Sequence, residues 1–103
     1  MAKLQSYISL DIETTGLGQE SQILQISAIC DDGISSLDKL PAINLFIDEP
    51  IRYAELGALV MHEKTKLFSR LLEARKQGKA KSLHSCLDEL IRFVDNHRQI
   101  NYD

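Results

Sequence analysis

Polar and apolar residues alternate from the start of the chain. Between Tyr7 and Glu13, Ile8, Leu10 and Ile12 face one way while Tyr7, Ser9, Asp11 and Glu13 face the other, which is the period of a strand. This predicts a first strand at about 6–13. Two glycines within three residues, in Thr14-Thr15-Gly16-Leu17-Gly18, end it in a turn. A second strand is predicted at about 22–30, QILQISAIC, closed by Asp31-Asp32-Gly33. A third, AINLFI at about 42–47, lies between Pro41 and Pro50. Its near-continuous apolar pattern predicts cover on both faces. A long turn separates the first two strands, and a three-stranded antiparallel meander is the economical arrangement.

The period then changes to that of a helix. Leu56, Leu59, Val60 and Glu63 recur at helical spacing, and Leu67, Phe68, Leu71 and Leu72 continue the stripe. We expect helix at about 53–77, with a break near 64 after which Thr65 caps the continuation. Gly78 stands where a left-handed residue ends a helix. A last helix is expected at about 83–97, capped by Ser82 or Ser85, with Leu83, Leu87, Leu90, Ile91 and Val94 inward. The order β-β-β-α-α reads as a single α/β domain over residues 1–103.

Composition narrows the function classes. With 44% hydrophobic and 26% charged residues the chain is an ordinary globular one. Its longest apolar run falls well short of the roughly 18 residues of a membrane span, and no apolar segment of a secretory signal precedes Asp11. Cys30 and Cys86 belong to no C-x-x-C pair and read as small buried hydrophobes of a reduced, cytoplasmic protein. Six aromatics and no tryptophan leave little for an extended base-stacking platform. The net charge of −3 is unevenly spread: residues 1–60 hold nine acids against three bases, residues 61–103 nine bases against six acids. Seven of those bases fall between Lys64 and Lys81. An acidic half beside a basic half suits a protein holding metal ions in one place and phosphates in another, although a solvated helix accounts for the charges equally well.

The informative string is Asp11-Ile12-Glu13-Thr14-Thr15-Gly16-Leu17. Carboxylates at i and i+2 on a strand share a face, with Cα atoms about 6.6–6.8 Å apart. Two acids so placed repel and lose hydration together, and a hard divalent cation removes that cost. The turn after them exposes N–H groups and hydroxyls to a phosphate or sugar, and Gly16 admits a close substrate backbone. A bare D-x-E is an ordinary solvent-facing strand end; the whole string is far more specific.

This string resembles the first motif of the DnaQ-like (DEDD) superfamily of 3′–5′ exonucleases. QILQISAIC is similar to that family's second strand, and AINLFIDEPIRYAELGALVMHEKT to its third strand and following helix. The likeness spans residues 6 to about 70. It implies a ribonuclease-H-like fold and a two-metal phosphodiesterase using Mg²⁺ or Mn²⁺ on single-stranded DNA or RNA 3′ ends. On this reading Asp11 and Glu13 are metal ligands. Thr14, Thr15, Gly16 and Leu17 meet the terminal nucleotide, with the Thr15 backbone near its 3′-hydroxyl. Lys64, Lys66 and Arg70, from the basic cluster, are candidates for tracking the phosphates.

The family also uses N-x-x-F-D and H-x-x-x-x-D strings, and neither occurs here. The sequence therefore reads as the N-terminal portion of such an enzyme, a truncated version of the fold with negligible turnover alone. His84-Ser85-Cys86-Leu87-Asp88-Glu89 is a near match to the last motif and makes His84 a candidate base, set against an amphipathic helix with a solvent-facing histidine. His62 and His97 read as surface or helix-end residues. Two alternatives stay open: a non-catalytic nucleic-acid-binding or protein-interaction module, and a half-fold completed by a complementing chain or a homo-oligomer partner.

Overall fold

Three strands and three helices follow one another along the chain. A computed structural model describes residues 7–97. The strands are β1 (Tyr7–Thr14), β2 (Ile23–Asp31) and β3 (Ala42–Phe46), paired antiparallel in the order β1-β2-β3. A short 3₁₀ turn, Leu37–Lys39, leads into β3. The helices are α1 (Leu56–Thr65), α2 (Leu67–Lys76) and α3 (Leu83–His97). The domain is thus α/β, a three-stranded antiparallel sheet followed by three helices. Among the described residues no helix is long and apolar enough to cross a membrane.

Register decides which side chains share a face. Asp11 lies opposite Ser27 and Glu13 opposite Gln25 on β2, which in turn face Asn44 and Phe46 on β3. The other face carries Ile8, Leu10 and Ile12 across from Cys30, Ala28 and Ile26, then Ile43 and Leu45. α3 covers that apolar face, placing Cys86 among Ile26, Leu45 and Ile47 and Phe93 against Ala28 and Cys30. α2 covers the polar face at its β3 end, where Leu67 and Leu71 close over Leu24, Phe46 and Phe68. Burying Leu67 completely contributes about 1.5–3 kcal/mol. Because α3 sits over β2 and β3, Leu10 and Ile12 at the sheet's margin remain 52% and 42% exposed.

Three expectations are corrected. β3 is not covered along its length: Ala42 and Asn44 are exposed and only Leu45 is buried. In α1 the leucines point outward, with Leu56 76% exposed, while His62 is the buried residue. The inward face of α3 runs through Cys86 and Phe93, leaving Leu87 and Ile91 exposed. In α3 the expected Leu83 and Leu90 do pack on the core beside Cys86 and Phe93, so the stripe is shifted rather than replaced, whereas in α1 His62 takes the inward place.

The joints are local chemistry. Lys66, with φ of 59°, separates α1 from α2, and no side chain caps the new start, Thr65 bonding back to the His62 carbonyl instead. Gly78, with φ of 70°, ends α2 while Lys79 N–H returns to the Ala74 carbonyl. Ser82 caps α3 by accepting from Ser85 N–H, and Glu49 accepts from Leu83 N–H. Arg75 donates to the Ile47 and Glu49 carbonyls and pairs with Asp48, tying α2 to the end of β3.

Candidate functional site

β1 brings Asp11 and Glu13 to the same face of the sheet, and a register irregularity between Glu13 and Thr14 swings the chain into the turn. Asp11 is exposed and Glu13 half-buried. A cleft of about 430 Å³ opens beside Glu13, walled by Leu17, Glu55, Ala58, Met61 and His62. Its outer lip is Leu17, 99% exposed.

The turn is built by its own side chains. Thr14 Oγ1 donates to the Gly16 carbonyl at 2.6 Å. Thr15 is 1% exposed: its N–H donates to the Gln22 carbonyl at 3.0 Å and its Oγ1 accepts from Gln22 N–H at 2.9 Å. Leu17 and Gly18 donate their N–H groups to one oxygen of Glu55, at 3.2 and 3.1 Å. Glu55 N–H in turn donates to the Thr15 carbonyl at 2.7 Å. The carboxylate lies against Gly16, where a Cβ would come within 2.6 Å of Glu55 Cγ and Oε2.

These bonds hold Thr15 and Gly16 inside the turn. The Thr15 N–H, carbonyl and hydroxyl are each engaged within the turn, by Gln22, Glu55 and Gln22 in that order. Gly16 has room for no side chain, because Glu55 lies where its Cβ would stand. Thr14, Gly16 and Leu17 all lie on the wall of the cleft.

His62 is the residue the sequence misplaced. It is 2% exposed rather than at the surface, with its ring edge-on to Phe68 at 5.7 Å. Its Nε2 lies 2.5 Å from the Thr14 carbonyl, and Nδ1 faces Glu13 Oε2 at 3.7 Å. A carbonyl only accepts, so Nε2 carries the proton in that contact. Nδ1 has no hydrogen-bond partner although it is buried.

Other candidates are not brought to the acids. His84 is exposed on α3, which covers the opposite face of the sheet, and its neighbour at 3.6 Å is Asp88. His97 ends α3 with Nδ1 at 2.9 Å from the Phe93 carbonyl. Lys64, Lys66 and Arg70 are exposed at the α1–α2 joint and on α2, on the same side of the sheet as Asp11 and Glu13. Arg70 also edges a second cleft of about 350 Å³ with Asn44, Glu73, Gln77 and Lys79. Among the described residues, no three His, Cys, Asp or Glu side chains converge closely enough to hold a metal ion.

Neither His62 nor Glu55 carries a local sequence signal. Each is defined by contacts with the turn far earlier in the chain, Glu55 with Leu17 at a separation of 38 and His62 with Thr14 at 48. Comparison with known protein families, with curated proteins and with solved structures finds no match.

Proposed function

We propose that the chain serves metal-dependent hydrolysis at nucleic-acid 3′ ends, in the manner of the ribonuclease-H-like 3′–5′ exonucleases its first motif resembles. The observation that supports this most is the pair Asp11 and Glu13 on one face of β1, opening beside a cleft at the Thr-Thr-Gly turn. Oxygen donors of this kind fit Mg²⁺ or Mn²⁺, which when bound supplies charge stabilisation and an activated water. In this chain Asp11 and Glu13 provide the acidic ligands, Leu17 an apolar contact for a terminal base, and Lys64, Lys66 and Arg70 cations for a single strand. Two carboxylates are half of what the resembled centre uses, so these 103 residues alone are expected to bind metal weakly and turn over negligibly.

One observation favours a second reading, a non-catalytic nucleic-acid-binding module: the turn's outward N–H groups are already filled by Glu55. A single-stranded oligonucleotide labelled at its 3′ end separates the two. On the first reading, binding in Mn²⁺ is weakened by EDTA and by Asp11→Ala. On the second it ignores both and responds only to salt. Hydrolysis that disappears in Asp11→Ala would overturn the expectation of negligible turnover.

A further inference from the structure

We propose that His62 Nδ1 and Glu13 are joint ligands of one divalent transition-metal ion, making this a nitrogen–oxygen site rather than one built of carboxylates alone. The inference rests on the reading of Glu13 as a metal ligand, and adds a residue and a metal preference to it.

Three observations carry it. The first is the tautomer. In the neutral imidazole, donation from Nε2 to the Thr14 carbonyl leaves a lone pair on Nδ1. Metal-binding histidines are held in this way, the second ring nitrogen donating to a carbonyl or carboxylate and so fixing the ring's orientation. The second is that this lone pair is buried without a hydrogen-bond partner, an arrangement that costs free energy unless something fills it.

The third is spacing. Glu13 Oε2 lies 3.7 Å away. An imidazolium–carboxylate hydrogen bond would close to about 2.7–2.9 Å. Two donors sharing a tetrahedral ion, with bonds of about 2.0–2.2 Å, stand about 3.4 Å apart. The observed gap therefore approaches that of an intervening cation, and Glu13, with its side chain 36% exposed, has room to close the difference.

The cleft beside Glu13 leaves space for water to complete the coordination, and Asp11 shares the face two residues away. An imidazole donor favours Co²⁺ or Zn²⁺ over Mg²⁺, which prefers oxygen. The nearby basic residues Lys64 and Lys66 lie exposed at the end of α1.

The test is calorimetric titration of the 103-residue chain with CoCl₂ and with MgCl₂, for wild type, His62→Gln and Glu13→Gln. The expected result is Co²⁺ binding about tenfold or more tighter than Mg²⁺. His62→Gln should remove that preference and spare Mg²⁺, while Glu13→Gln weakens both. A preference unchanged in His62→Gln overturns the inference but leaves the carboxylate reading standing. Absence of binding by either ion overturns both.

Should His62→Gln fail to fold, ¹⁵N NMR of the wild-type imidazoles during ZnCl₂ addition decides the matter. The His62 ring is identified by its proximity to Phe68. A shift at Nδ1 with Nε2 remaining protonated supports the site; an unmoved Nδ1 resonance refutes it.

Discussion

Replacing Gly16 with alanine should test whether the turn is shaped by Glu55. The added Cβ would stand 2.6 Å from Glu55 Cγ and Oε2, so the glutamate must swing away. Gly16 itself has no positive φ, and its backbone admits alanine without strain. The cost is therefore that of the two hydrogen bonds from Leu17 and Gly18 N–H. These bonds are solvent-exposed, which reduces their combined contribution to about 1–2 kcal/mol. Alanine recovers part of that, about 0.4–1 kcal/mol, by restricting the unfolded chain. Gly16→Ala should then destabilise by about 0.5–1.5 kcal/mol.

Glu55→Ala removes both the bonds and the obstacle. In that background Gly16→Ala should be neutral or slightly stabilising, a coupling of about 1–2 kcal/mol. Urea unfolding followed by far-ultraviolet circular dichroism reads all four proteins. With m of about 1–3 kcal/mol/M, the coupling moves the midpoint by several tenths of a molar or more. An equal cost of Gly16→Ala in both backgrounds would refute this account of the turn.

Three further outcomes are expected. Leu67→Ala should cost about 2–5 kcal/mol, since Leu67 is fully buried against Leu24 and Leu71; a loss below about 1 kcal/mol in urea unfolding contradicts the packing of α2 on the sheet. The Asp32 carboxyl is held down at about 2 by Ser35 N–H, the Ser35 hydroxyl and Ile34 N–H. A depressed value means this turn contributes fully above the ordinary carboxylate range of about 4 and loses its contribution as pH falls towards 2; an NMR titration with an ordinary midpoint for Asp32 would contradict it. Burial pushes the Cys86 thiol up, with Glu89 adding to the effect, and Cys30 is buried as well. Iodoacetamide should therefore label both slowly at neutral pH and rapidly in urea, whereas fast labelling of the folded protein rules this burial out.

The elements written in short-range chemistry were legible in the sequence. Strand alternation, Gly78 and Ser82 are decided within a few residues, and the strands and the third helix lie within about a residue of where those signals put them. Which side of a helix faces the sheet is another matter. In α1 the contact is made by His62 because Glu13 and the Thr14 carbonyl await it, and a stripe of leucines gives no hint of that. In α3, Cys86 and Phe93 displace Leu87 and Ile91 because the spaces between Ile26, Ala28 and Leu45 fit them. The acids of β1 were readable as a pair. Glu55 was not, since its role depends on a glycine 39 positions away.

The placement of β1 at the margin of the sheet has a consequence for solubility. Among the described residues its only strand neighbour is β2, and an unpaired margin bearing the exposed Leu10 and Ile12 invites annealing with another copy. Asp11 and Glu13 stand on that same strand, where their like charges oppose stacking of identical strands in register. The pair proposed as cation ligands is thus also expected to act as a gatekeeper against association. A double neutral variant at these positions is expected to precipitate at lower concentration than wild type, so any loss of binding in it should be judged against either single substitution at matched, dilute concentration.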